Sequence, residues 1–300
     1  MNVLIRADSS SSIGTGHIMR DLVLASQFES VTFVTRDLSG NINFKIKEAG
    51  YNLEIVKDNT LAELSRIVEM CSPDLVIIDN YDINCNFERA LKDKYPNIQL
   101  MVFDDVYQKH YCDILINHNV SADKTRYKGL VPERCELRCG SKYTLIRPEF
   151  YEYREKPKQK NKVPHIFLAM GGADHSNINI PILEVIREIG GIYVNVLTTT
   201  TNRNLEQLKE FCLDKSWITV HINSIEVAKL MHESDFAIVS PSVTLNEVLF
   251  MGLPFTAIMT ADNQLDMYDY LEKKGYLLLG KMDQRLLKIN VLKLMQDINY

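Results

Sequence analysis

Short β-branched apolar runs alternate with stretches of helical period along nearly the whole chain. In the first half, an opening strand Asn2 to Asp8 is followed by runs at Val31–Thr35, Leu53–Val56, Leu75–Asp79, Leu100–Asp104 and Ile114–Asn117. Helical periods fall between them, around Met19–Phe28, Ile42–Ala49, Leu61–Met70 and Asn86–Lys94. Strands apolar at almost every position, separated by helices, predict a parallel sheet covered on both faces. The rhythm then restarts. Strands are expected at His165–Met170, Tyr193–Leu197, Ile218–His221, Phe236–Val239 and Pro254–Ile258. Helices are expected around Ile178–Ile189, Asn204–Leu213, Ile225–His232, Leu245–Met251 and Leu265–Lys274, with a final amphipathic helix over Arg285–Ile298.

The run from Glu155 to Pro164 breaks this pattern: it is basic, proline-bracketed and without hydrophobic period, and so reads as a linker. The predicted fold class is α/β, with two Rossmann-like parallel-sheet domains facing a central cleft. Residues 1–155 form the first domain, 156–164 the linker and 165–300 the second. No repeat between the halves is strong enough to indicate duplication.

Composition narrows the function classes. A net charge of −5 argues against a general nucleic-acid or membrane-surface binder, and the short basic linker is a solvated connection. No apolar run is long enough to span a bilayer. The charged first strand argues against a secretory signal, so a cytoplasmic, monomeric protein is expected. The six scattered cysteines form no zinc set and read as reduced structural thiols, and no paired acidic signature for a metal stands near the glycine loops. Neither a metal nor a cofactor is therefore expected.

The most informative stretch is Ile13-Gly14-Thr15-Gly16-His17-Ile18-Met19-Arg20, just after the first strand and a serine loop. Gly14 and Gly16 allow positive φ and close approach of a ligand to backbone N–H groups. His17 opens a helix, where the dipole favours a neutral imidazole able to accept a proton. The alternative is a tight βα turn whose histidine only caps a helix. Several strands end in polar residues (Asp8, Asp79, Asp104, Asn117), and ligands of open α/β sheets bind at those carboxyl ends. Asp8 is placed either to orient His17 or to cap its own loop.

In the second half, Met170-Gly171-Gly172-Ala173-Asp174 follows a strand and precedes a helix, leaving room for a diphosphate at Gly171 and Gly172. Its spacing matches neither a Walker motif nor the dinucleotide fingerprint. Asp174 is either a ligand contact or an N-cap. The run Ser240-Pro241-Ser242-Val243-Thr244-Leu245-Asn246-Glu247 repeats the design with hydroxyls at a strand-to-helix junction. Glu247 is either a carboxylate for two vicinal ribose hydroxyls or the partner of Thr244 in a capping box. Asn263 and Gln264 supply amides at a further carboxyl-end loop.

Taken in order, these segments resemble the hydrolases of pseudaminic acid biosynthesis, within the GT-B group of nucleotide-sugar enzymes. The resemblance runs from Met1 to about Leu279. It is carried by Asp8-Ser9-Ser10, Gly14-Thr15-Gly16-His17 with Arg20, Asp79–Tyr81, Phe103-Asp104-Asp105 and Cys112–Asn117. It continues through Arg138-Cys139-Gly140, Leu145–Phe150, Met170–Asp174, Asn246-Glu247 and Asn263-Gln264. One departure is Asn80, where that family often has a histidine. The resemblance implies a GT-B-like fold and hydrolysis of a UDP-linked diacetamido-trideoxy-altropyranose. His17 would be the base that activates water for inverting attack at the anomeric carbon. Tyr81 and Asn263 would lie near the hexose. Arg147, Gly171, Gly172, Asp174, Ser240, Ser242, Thr244, Leu245, Asn246, Glu247 and Gln264 are the expected contacts for UDP and sugar, with Asp8, Gly14 and Gly16 at the histidine loop. The substrate is a small molecule, with no nucleic acid or membrane partner. Three other functions fit the same residues: a GT-B glycosyltransferase, a hydrolysing UDP-sugar epimerase and a non-catalytic nucleotide-sugar sensor.

Overall fold

The computed structural model describes residues 1–158 and 160–298. Gln159 of the expected linker and the last two residues of the expected second domain lie outside the described residues. The chain forms two compact units that divide between Leu145 and Ile146.

The first unit holds seven strands: β1 Asn2–Ala7, β2 Ser30–Arg36, β3 Asn52–Val56, β4 Leu75–Asp79, β5 Gln99–Phe103, β6 Ile114–Asn117 and β7 Glu136–Cys139. All pair in parallel, in the order β3-β2-β1-β4-β5-β6-β7. Helices α1 Gly16–Ala25, α2 Asn43–Glu48, α3 Leu61–Cys71 and α4 Cys85–Lys94 make the crossovers. Side chains alternate across the sheet. Val3, Ile5, Ile77 and Met101 pack with Ile18, Leu24 and Ile46 on one face, while Leu4, Val76, Ile78 and Leu100 pack with Leu64, Ile67 and Leu91 on the other. Both faces are apolar because both are covered, and each fully buried aliphatic side chain contributes about 1.5–3 kcal/mol.

The second unit opens with α5 Pro148–Glu155 and carries six strands: β8 His165–Ala169, β9 Tyr193–Thr198, β10 Ile218–Ile222, β11 Phe236–Val239, β12 Phe255–Ile258 and β13 Leu277–Leu279. These too are parallel, in the order β10-β9-β8-β11-β12-β13. The other helices are α6 Asn179–Ile189, α7 Leu205–Cys212, α8 Val227–His232, α9 Val243–Met251, α10 Leu265–Lys273 and α11 Gln284–Asp297. In each unit the strand order reverses once, between β1 and β4 and between β8 and β11. Open sheets of this kind bind ligands at the carboxyl ends of the strands flanking that reversal.

Three features depart from the sequence reading. Helix α5 was not anticipated, and it packs against α8 and α9, so residues 146–155 belong to the second unit rather than the first. Its aromatic anchors account for this: Tyr151 meets Phe250, and Tyr153 meets His232. The sheet-edge strands β7 and β13 were also not anticipated. Helix α1 begins at Gly16, three residues earlier than the apolar period indicated, because the polar His17, Arg20 and Asp21 form part of its buried face. All six cysteines are free. Among the described residues no helix is long and apolar enough to cross a membrane.

Candidate active site

Both elements flanking the reversal of the first sheet deliver side chains to one place. Strand β1 ends opposite Asp79, since Ala7 pairs in register with it, and the chain then turns through Ser10–Gly14 into α1. This turn is built locally. Ser10 and Gly14 exchange backbone hydrogen bonds of 3.3 and 2.9 Å, Ser10 Oγ accepts from the N–H of Ile13, and Gly14 takes φ +87°. No side chain caps the start of α1.

His17, on the first turn of α1, donates from Nδ1 to Asp79 Oδ1 at 2.6 Å. An ionised carboxylate has no proton to give, so the ring hydrogen sits on Nδ1 and Nε2 is left as the acceptor. Arg20, one turn further on, clamps the same carboxylate with Nε to Oδ2 at 2.6 Å and Nη2 to Oδ1 at 2.5 Å. Its guanidinium also lies over the Phe103 ring. Burial opposes the charge on Asp79, but Arg20 and His17 beside it hold its carboxyl well below the usual carboxylate range. His118 receives Arg20 Nη1 at 3.3 Å; burial and the guanidinium push its imidazole down to about 3, so it is neutral. Tyr81 stands edge-on to His17, with ring centroids 4.9 Å apart, and donates to Asp105 Oδ1 at 2.6 Å. Asp105 reaches back to Arg20 at 3.4 Å. Tyr81 remains 46% exposed, which leaves it open to a ligand beside the imidazole.

Asp8 does not orient His17; Asp79 does. The Asp8 carboxylate takes bonds of 2.7 and 2.8 Å from Arg6, 2.7 and 2.8 Å from the backbone and Nε of Arg36, and 2.8 Å from Asn80. It is buried, and its acceptor positions are full. Asn80, the departure from the resembling family, thus holds Asp8, and it also accepts from the backbone of Asp82. The sequence had singled out Asp79 as a strand-end carboxylate but gave it no role, and it left Asp105 and His118 without function. Only the register of β1 against β4 places Asp79 next to His17, 62 residues earlier in the chain.

In the second unit the two expected loops lie at the ends of β8 and β11, the pair flanking the reversal. Gly171 takes φ +80° and faces open space, whereas a Cβ on Gly172 would meet Thr199 Cγ2 at 2.8 Å. Gly172 is therefore required for packing, as its carbonyl accepts from both the backbone and Oγ1 of Thr199. Asp174 is turned inward: its carboxylate accepts from the backbone of Ile178 and Asn179 and, at 2.7 Å, from Asn179 Nδ2. It thus holds the backbone leading into α6, although the N-cap position itself is Ile178 and not Asp174. At the second loop, Ser242 is the N-cap of α9 and makes no side-chain cap bond, and Ser240 Oγ donates to Ser242 Oγ at 3.2 Å. With Ser242 as the cap, Thr244 and Glu247 do not form a capping box. Thr244 is half-buried on the first turn, and Leu245 and Asn246 are buried beside Glu247.

Glu247 instead accepts from Arg147 Nε at 2.8 Å, and Arg147 also pairs with Glu149. Burial pushes the Glu247 carboxyl up, while Arg147 pulls it down. Gln264 closes its own loop by accepting from the Thr260 N–H at 2.8 Å, and Asn263 beside it is exposed. Among the described residues, no three His, Cys, Asp or Glu side chains are grouped as a metal ion would need.

No family model matches the chain. In fold it is similar to MurG of Acinetobacter baumannii, with a TM-score of 0.62 over 99% of this chain and 92% of that one at 15% identity. A second similar structure is the Anabaena HepE protein in complex with UDP and glucose, with a TM-score of 0.63 over 100% and 90% at 8% identity. Both units therefore have the Rossmann-like parallel sheets of the GT-B glycosyltransferases. In sequence, the chain is 38% identical to the UDP-2,4-diacetamido-2,4,6-trideoxy-beta-L-altropyranose hydrolase of Campylobacter jejuni, over 92% of this chain and 98% of that protein. At that identity, over nearly the whole of both proteins, the chain belongs to the family of UDP-2,4-diacetamido-2,4,6-trideoxy-beta-L-altropyranose hydrolases.

Proposed function

We propose that this protein hydrolyses a UDP-linked 2,4-diacetamido-2,4,6-trideoxyhexose of the altropyranose type to the free sugar and UDP. The observation that carries the chemistry is the His17–Asp79 bond of 2.6 Å. It fixes the tautomer in which Nε2 accepts a proton, as general-base activation of water requires. Water attacks the anomeric carbon, the bond from that carbon to the UDP oxygen breaks with inversion, and the water proton passes to His17. Asp79 stabilises the imidazolium that forms, and Arg20 keeps Asp79 ionised and fixed in place. Tyr81, open beside the imidazole, contacts the hexose.

In this reading the second unit holds UDP. The positive-φ Gly171 loop and the uncapped start of α9 at Ser242 present backbone N–H groups to the diphosphate and stabilise charge on it as it leaves. Glu247, oriented by Arg147, accepts from the ribose hydroxyls, and Asn263 faces the sugar. The free thiols suit a cytoplasmic enzyme.

The test is to incubate the purified protein with the UDP-sugar, without any acceptor, in water enriched in heavy oxygen. Free sugar carrying the label, with unlabelled UDP, is expected. Label in UDP would mean attack at phosphorus, and no turnover until an acceptor is added would mean a glycosyltransferase.

A further inference from the structure

Helix α1 buries three polar side chains, His17, Arg20 and Asp21, and the first two bind Asp79. The first two have assigned tasks. Asp21 is 0% exposed, and neither of its carboxyl oxygens meets an N–H or O–H donor. A carboxylate stripped of water and left without donors is costly enough that the group takes up a proton instead. The guanidinium of Arg20 does not donate to it, because it serves Asp79 twice, Asp105 once and His118 once.

Counting acceptor positions shows where the proton can go. A carboxylate offers about four, two on each oxygen. On Asp79, Oδ1 receives His17 Nδ1 and Arg20 Nη2, and Oδ2 receives Arg20 Nε, so one position on Oδ2 is left among the described residues. Resting on the hydrolase reading above, we propose that Asp21 is a neutral carboxylic acid whose O–H fills that fourth position, and that it is a positioning residue setting how strongly Asp79 draws on His17. Burial and the neighbouring Asp79 charge push the Asp21 carboxyl well above the usual carboxylate range, against the pull of Arg20, in agreement with this assignment.

A hydrogen bond received by Asp79 spreads its charge and weakens its hold on an imidazolium. The charged and titratable groups around the pair are Arg20 on α1, Tyr81 beyond β4, Asp105 beyond β5 and His118 beyond β6. Arg20 already holds its place on Oδ2 through Nε, His118 Nδ1 has no hydrogen-bond partner and Tyr81 donates to Asp105, so none of them fills the fourth position.

The experiment compares the pH dependence of kcat/KM for Asp21→Asn and Asp21→Ala. The amide of Asn keeps a donor, so its acid limb should coincide with that of the natural protein. Ala removes the donor, and its limb should move up by about half a pH unit or more, the equivalent of one ordinary hydrogen bond. If Asp21 were ionised, Asn would remove a negative charge and move the limb down instead. A purely structural role would lower the melting temperature of the Ala variant and leave the limb in place. Either result overturns the proposal. Carboxyl-carbon NMR of the natural protein supplies an arm that needs neither turnover nor a variant. The Asp21 signal should stay at the protonated position through the neutral range, and a signal at the ionised position there would overturn the proposal. Because this arm is read without substrate, its failure is separate from failure of the hydrolase reading.

Discussion

Arg147 and Glu247, one hundred positions apart, form a half-buried ion pair in which the Arg147 Nε–H donates to Glu247 Oε1 at 2.8 Å. The arginine sits at the N-cap of α5 and the glutamate one turn into α9, so the bond ties the start of α5 to α9. It also fixes the rotamer of the one carboxylate at that junction.

Replacing Glu247 with Gln tests both roles. The amide keeps the shape but loses the charge, so UDP affinity should fall about tenfold or more, given ~1.5–3 kcal/mol for charge-assisted bonds. Calorimetric titration with UDP checks this, alongside urea unfolding. Unchanged affinity with reduced stability would leave Glu247 as a partner for Arg147 alone.

His17→Asn should bind substrate nearly as well as the natural protein and lose ~10²–10⁴-fold in kcat, the usual contribution of a general base. Asp79→Asn should cost a comparable factor for a different reason. An amide at Asp79 donates to Nδ1, which moves the ring hydrogen to Nε2 and removes the acceptor. Since both act through one proton path, the double variant should be little worse than either single one. Additive losses in a kinetic double-mutant cycle would break the link between the two residues.

Much of this was legible in the chain because β-branched runs in a fully covered sheet leave a continuous apolar signature. The two missed strands lack it. Strand β7 has the sequence Glu-Leu-Arg-Cys at a sheet edge, and β13 is only three residues long. Helix α5 was hidden because its one buried residue is Phe150, set among charges and partly exposed tyrosines rather than on a regular aliphatic stripe. Sequence could nominate His17, but its partner is set by a strand register and not by spacing. The competing readings of Asp174 and Glu247 divided on geometry: Asp174 is turned inward onto the backbone leading into α6, whereas Glu247 is free of its capping box because α9 starts two residues earlier than Thr244 would require.

The two neighbouring glycines should respond differently to alanine. Gly172→Ala drives a methyl into Thr199 Cγ2 and should destabilise by about 1–3 kcal/mol, the usual range for overpacking. Thr199→Ser removes that carbon while keeping the hydroxyl, so it should recover much of the loss. Gly171→Ala meets no neighbour but must hold φ +80°, a backbone cost of order 1 kcal/mol. Its larger effect is expected on UDP affinity. Urea unfolding of the three variants and the Gly172→Ala/Thr199→Ser pair decides this; no rescue by Ser would place the strain elsewhere.

His110 should make stability fall on the alkaline side. It is buried, with Nδ1 at 2.7 Å from Glu88 Oε1 and Nε2 at 3.7 Å from Asp104. Glu88 is fully buried and also receives the Tyr111 N–H. Burial alone would lower the pKa of His110, but the negative charges of Asp104 and Glu88 and the hydrogen bond to Glu88 overcome it and raise the imidazole to about 9. A group that binds its proton more tightly when folded adds stability that is fully present below its unfolded value near 6.5 and is lost as pH rises through about 9. The difference is on the order of 3 kcal/mol. Urea midpoints should therefore decline between neutral pH and pH 9 or above. His110→Gln should be less stable at neutral pH, because Glu88 loses its cation, and should lack that alkaline decline. A decline of the same size in the variant would assign it to other groups and leave His110 uncharged in the fold.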